Sequence, residues 1–233
     1  MDSRKQLLAR LDLFTGLSER EIDEVAQIAR RRTLKKGDVL FHKGDEGGDL
    51  YIIVSGVVKA YSTSPDGTEV VFRLMTAGEV TGDLAAFTGS PRTANNVAFE
   101  DCELLMIQRR ELLPLLRRTP DIAIRLIAAL AGRIAKLSEQ FEDKNFRPVD
   151  ERLAKLLLGF ADRWGRPVKD GVQIDIRASQ TELGEFVGAT RESVNKIVGA
   201  WREEGVLEHQ DHRVTIKRRK ALEDVAERKL LKR

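Results

Sequence analysis

From Pro120 to Asp143 the chain reads PDIAIRLIAALAGRIAKLSEQFED, and no other stretch limits the possible folds as strongly. Ile127, Leu130, Ile134, Leu137 and Phe141 follow one another at alternating steps of three and four, with Ala123 one step earlier. Such spacing is a heptad seam, narrower than the stripe of an ordinary surface helix. A seam either takes a partner helix or docks on the chain's own domain. Isoleucine at one seam position and leucine at the other favours two parallel strands, so these five residues are the expected interface of a two-fold homodimer.

The two sides of this helix differ in period. Leu7, Leu8, Leu11 and Phe14 recur at helical spacing, and Ser18 with Glu21 forms a capping box before Ile22, Val25, Ile28 and Ala29, so two short helices open the chain. From Thr33 to about Arg109 short apolar runs (VLFH, LYIIV, VVKAYS, VVFRLM) alternate with glycine turns, Asp66-Gly67 being the best hairpin signal. Strands at that interval imply an antiparallel sandwich or barrel. Cys102 lies in the apolar run CELLMI, where a packed thiol is expected.

The interval GEVTGDLAAFTGSPRTANNV, from Gly78 to Val97, breaks the strand pattern. Its small residues let a backbone approach a ligand, amides opening a short helix attract anions, and Arg92 with Thr93 offers a guanidinium fork and a hydroxyl to a phosphate. The alternative is a relict pocket with Arg92 salt-bridged or solvated. This interval resembles the phosphate-binding cassette of the cyclic-nucleotide-binding domain. Leu34 to Asp38 (L-x-x-G-D), Gly44-Asp45 and SGVVKAY from Ser55 to Tyr61 fit the same strand pattern. The resemblance continues through the long helix to the C-terminus, in the order of the catabolite activator and fumarate-nitrate regulator (Crp/Fnr) family of bacterial transcription factors. It implies a ligand site of Gly82, Asp83, Leu84, Ala85, Arg92 and Thr93, with Ser138 contributed across the dimer. Two positions depart from the cyclic AMP pattern: Asp83 stands where those sensors have glutamate on the ribose, and Leu137 replaces the threonine of a Thr-Ser pair reading adenine. A phosphate-bearing ligand is therefore better supported than adenine, and a regulator with another effector, or none, is the alternative.

After the long helix, Pro148 ends one helix and Asp150 is the expected cap of the next, whose Leu153, Leu156, Leu157, Phe160 and Trp164 form an apolar face up to Gly165. Two short strands around Asp170-Gly171 read as a hairpin. Ser179 to Glu208 then has helix-turn-helix spacing. Ser179 and Glu182 form a capping box, Gly188 supplies the turn, and Thr190 caps a second helix with Val194, Ile197, Val198 and Trp201 inward and Arg191, Glu192, Asn195 and Lys196 outward. Arg191 and Lys196 suit guanine and Glu192 the cytosine amino group, while Ser179, Thr181 and Thr190, with Gln180 and Ser193 beside them, lie where backbone phosphates are held. The family carries Arg-Glu at this helix start and a basic residue five positions after the arginine, which Arg191, Glu192 and Lys196 resemble; lysine at the last site loses the bidentate fork. His209 and His212 read as solvated wing residues, and Ala221 to Arg233 as an exposed charged helix.

The expected architecture is thus α+β: a jelly-roll-like antiparallel β-barrel sensor domain over residues 1–118, a dimerisation helix and hinge over 119–147, and a winged helix-turn-helix over 148–233. The expected function is a homodimeric regulator that binds inverted-repeat double-stranded DNA, is controlled by cyclic AMP or another cyclic nucleotide, and has RNA polymerase as a further partner. A net charge of only +3 makes the DNA-binding expectation rest on the motif and not on bulk charge. With no nucleophile elbow, metal-ligand triplet or P-loop, the chain reads as no enzyme. One cysteine in 233 residues holds neither an internal disulfide nor an iron-sulfur cluster, and no metal is expected. No apolar run approaches the ~20 residues of a membrane span, and the N-terminus lacks an export signal, so the expectation is a cytoplasmic protein without membrane contact.

Overall fold

The computed structural model describes residues 3–228. The chain divides into two compact units, Met1–Ile134 and Ala135–Arg233.

In the first unit α1 (Ser3–Leu8), a short 3-10 turn and α2 (Glu19–Ile28) precede the strands. The Ser18–Glu21 capping box forms as expected, with Glu21 N–H donating to the Ser18 hydroxyl and the Ser18 N–H to the Glu21 carboxylate at 2.8 Å. Eight strands follow: β1 (Arg30–Leu34), β2 (Val39–Phe41), β3 (Leu50–Ser55), β4 (Val58–Thr63), β5 (Glu69–Met75), β6 (Val80–Thr81), β7 (Asn95–Ala98) and β8 (Cys102–Ile107), with α3 (Asp83–Thr88) between β6 and β7. They form two antiparallel four-stranded sheets, ordered β1-β8-β3-β6 and β2-β7-β4-β5. Tyr51 and Ile53 of β3 point into the core with Phe41, Val58, Met75 and Leu104. Leu50 and Ile52, one residue out of phase, point the other way onto α2 and the helices that follow β8. Both faces of this sheet are covered, which is why LYIIV reads as a continuous apolar run rather than an alternating one. Cys102 is buried, its Sγ 3.2 Å from Val57 O, in the packed role expected.

Helix α4 (Arg109–Arg118), which is not among the elements expected from the sequence, packs Leu112 and Leu115 beneath that sheet. The long helix α5 (Pro120–Phe146) then begins. It docks on its own unit through Ile122 and Leu126, a pair that is not part of the seam. Ile127, Ile134, Leu137 and Phe141 are 63%, 65%, 42% and 70% exposed, so docking on the chain's own domain does not use up the seam.

The second unit carries α6 (Val149–Trp164), β9 (Gly165–Val168), β10 (Gly171–Ile174), α7 (Gln180–Val187), α8 (Arg191–Glu203), β11 (Leu207–Gln210), β12 (Arg213–Ile216) and α9 (Arg219–Ala226). The expected hairpin and wing join into one sheet of order β11-β12-β10-β9. Two sequence expectations change here. Asp150 does not cap α6: Pro148 is the N-cap, where its missing N–H costs nothing, and Asp150 lies inside the first turn. Nor is the C-terminal helix merely exposed. Leu222 is fully buried as α9 packs along α6, and Arg147 donates to Ala226 O at 2.9 Å and to Asp143 at 2.7 Å, pinning α9 to the joint between α5 and α6. The part of the predicted tail at 229–233 lies outside the described residues.

Candidate ligand pocket and nucleic-acid interface

Gly82 follows β6 as the N-cap of α3 with φ of 77°, and a Cβ there would stand 2.5 Å from Arg92 Nη1 and 2.6 Å from Asp49 O. Only glycine tolerates both the left-handed backbone and that crowding. The crowding exists because Arg92 turns inward. Its Nη1 donates to Asp49 O and Gly82 O, each at 3.0 Å, and its guanidinium lies 4.3 Å from the Phe41 ring centroid. Arg92 is only 5% exposed, and burial pulls its pKa below the ordinary guanidinium value while Tyr51 and Asp49 oppose the shift. The alternative of a solvated or salt-bridged arginine is not what the structure has: Arg92 is packed, with carbonyl partners. Its Nε and Nη2 make no hydrogen bond among the described residues.

Asp83, the residue that follows, is 2% exposed, and both its carboxylate oxygens accept from Arg133 Nη1, at 3.0 and 2.9 Å. Arg133 lies on α5 beside seam residue Ile134 and is not among the site residues expected from the sequence. The signal available was a lone cation between Leu126 and Ala135, where every other residue is apolar or glycine. Two guanidinium groups therefore bracket Gly82 and Asp83, and among the described residues both keep donors without a hydrogen-bond partner. Such an arrangement suits a small anion, whereas a carboxylate already held by Arg133 is less available to a ribose hydroxyl. Ala85 is buried, while Leu84 and Thr93 are exposed. Ser138 is exposed and belongs to the other unit.

In the second unit Ser179 caps α7, accepting from Glu182 N–H at 3.2 Å and donating its own N–H to the Glu182 carboxylate at 2.7 Å. Gly188 closes α7 at φ of 66°, the left-handed turn that a side chain disfavours. Thr190 then caps α8, its hydroxyl accepting from Ser193 N–H at 3.2 Å and lying 3.1 Å from Ser193 Oγ. The capping hydroxyls thus have structural partners as well as an outward lone pair or hydrogen. Val194, Val198 and Trp201 turn inward, and Arg191, Glu192, Asn195 and Lys196 stand exposed, as the spacing predicted. The amide at Glu192 and then the Thr190 hydroxyl hold the Glu192 carboxyl below the usual carboxylate range, keeping it an acceptor at neutral pH. Thr181 is exposed and Gln180 half-buried at the start of α7.

His209 is not a solvated wing residue. Its Nε2 lies 3.1 Å from Ala178 O, next to the cap of α7, and burial first, then His212 and Arg202, hold the imidazole pKa below its ordinary 6.5. Since the unfolded chain takes up this proton more readily, the contribution present above pH 6.5 is lost as pH falls from 6.5 toward the depressed folded value. We expect melting of the second unit to decline over that window, and His209→Gln, which cannot titrate, to flatten the decline. Tryptophan-detected melts between about pH 5 and 7.5 check this; equal slopes in parent and variant would count against it.

Among the described residues no helix is long and apolar enough to cross a membrane, and no cluster of three His, Cys, Asp or Glu is placed to hold a metal. Residues 31–119 match the family model of the cyclic nucleotide-binding domain, and residues 151–225 that of the Crp-like helix-turn-helix domain. The cyclic AMP receptor protein of Thermus thermophilus is 31% identical over 214 residues, covering 92% of this chain and 96% of that protein. A CRP-like cAMP-activated global transcriptional regulator of Mycobacterium tuberculosis is 29% identical over 211 residues, covering 91% and 94%. Among solved structures, the c-di-GMP responsive global regulator CLP of Xanthomonas campestris superposes with a TM-score of 0.78 at 23% identity, covering 85% of this chain and 99% of that one, which speaks to fold alone.

Proposed function

The chain belongs to the Crp/Fnr family of DNA-binding transcription regulators, and on that premise we propose that it acts as a homodimer, binding a cyclic nucleotide in the N-terminal β-domain and an inverted-repeat operator through α8. The observation that carries the ligand half is Arg92, a buried cation whose Nε and Nη2 are uncommitted beside Gly82. A cyclic phosphate would satisfy it, with Gly82 and Ala85 allowing close approach; the relatives above named for cyclic AMP support the same class. For the dimer, the support is the exposed seam. For DNA, it is the outward quartet on α8, with Arg191 and Glu192 reading a G-C pair and Ser179, Thr181 and Thr190 holding phosphates. Regulation would then act on RNA polymerase at the promoters so marked.

A second reading, the same regulator with an effector other than cyclic AMP, is favoured by the Asp83–Arg133 pair and by Leu137, which has no hydrogen-bonding group for adenine. Calorimetric titration of the full chain with cyclic AMP, cyclic GMP and cyclic dinucleotides, paired with operator affinity in each, separates the readings. The expected result is heat with a cyclic nucleotide and a matching change in operator affinity. No heat with any of them would refute the ligand proposal while leaving the DNA proposal standing.

A further inference from the structure

We infer that Asn195 is an additional base-reading residue of α8, directed at the adenine of an A-T pair, and that Gln180 is the positioning residue that fixes its amide for that task. The inference rests on the proposed reading of α8 as the DNA-contacting helix. Asn195 is four residues after Arg191 and three after Glu192, so it shares their exposed face one turn further along. Left to itself, an exposed asparagine rotates its amide and presents donor or acceptor indifferently. Here Gln180, the first residue of α7, donates from Nε2 to Asn195 Oδ1 at 3.1 Å, which selects one orientation.

The bond leaves a defined surface. Oδ1 has a second lone pair, and both Nδ2 hydrogens lack an acceptor among the described residues. An acceptor and a donor side by side in one plane complement adenine, which offers its N6 amino group and N7 at the major-groove edge. Guanine offers two acceptors there and thymine an acceptor and a methyl group, so neither pairs with both ends of the amide. Arg191, Glu192 and Lys196 suit G-C pairs, and Asn195 gives the same helix a means of reading A-T.

Selection from randomised duplexes with the parent, Asn195→Ala, Asn195→Asp, Gln180→Ala and Arg191→Ala tests this. Asn195→Ala is expected to lose adenine enrichment at one position per half-site, with roughly ten- to hundredfold weaker binding to the parent's preferred site. Asn195→Asp keeps the shape but not the donor, and should lose the same enrichment. Gln180→Ala should weaken it at that position alone, and adding it to Asn195→Ala should relax the preference no further. Because both groups are neutral, the salt dependence of binding should stay unchanged in Asn195→Ala. Equal weakening on every sequence would mean that the pair only braces α7 against α8, and would overturn the inference. An unchanged Asn195→Ala profile beside an altered Arg191→Ala profile would also overturn it, sparing the reading of α8; unchanged profiles in both would overturn the two together.

Discussion

Arg92→Ala lowers the unfolding free energy of the first unit by about 3 kcal/mol and its melting temperature by roughly 10 °C. Two carbonyl oxygens, Asp49 O and Gly82 O, lose their donor in a half-buried setting, at up to about 1–3 kcal/mol for each group left unpaired. The faces of Phe41 and Tyr51 lose the cation stacked on them. Release of a desolvated charge offsets part of the loss, which is why the expected value lies below the sum. Lysine places one nitrogen where the fork has three, so Arg92→Lys should recover less than half. Both tryptophans, Trp164 and Trp201, lie in the second unit, so calorimetry should show the first unit's transition moving while the fluorescence transition stays in place. A trace in which neither moves would show that the inward hydrogen bonds contribute nothing.

Ile134→Lys is expected to raise the dimer dissociation constant by roughly a thousandfold or more. In a parallel two-stranded seam Ile134 meets its own copy, so one substitution removes two buried isoleucines, at about 1.5–3 kcal/mol each, and sets two ammonium groups together. Stability of the single chain should hardly change, since Ile134 is 65% exposed there. Ala135→Lys, one residue round the helix and off the seam, is the matched control. Sedimentation or light scattering at micromolar concentration reads the result. A monomeric parent, or equal dissociation in both variants, would remove the seam from the interface.

How much of this was legible in the residues depended on whether the signal was local. Capping boxes at Ser18 and Ser179, the cap at Thr190 and the turn at Gly188 are encoded within four residues, and the structure has each of them. The outward quartet on α8 was legible for the same reason, since helical period alone decides which side chains face out. Asp150 misled because a good capping residue stood near a helix start that Pro148 had already fixed. Longer-range facts left little trace. Nothing near Arg92 in sequence announces Asp49, and Arg133 lies 50 residues from the carboxylate it holds. The burial of Leu222 likewise depends on α6, more than fifty positions earlier, and His209 on the carbonyl of Ala178.

The order β1-β8-β3-β6 has a consequence for synthesis. Strands β1 and β3 do not pair with each other; both bond to β8, Arg30 standing opposite Met106 and Leu50 opposite Ile107. On the ribosome, β1 must therefore wait for Cys102–Ile107 to clear the exit tunnel, and β3, which has β6 on its other side, keeps one edge open until then, with apolar faces meanwhile exposed to chaperones and to neighbouring nascent chains. In the second unit α7 and α8 face no such delay, because they are adjacent in the chain and meet as soon as Gly188 turns it.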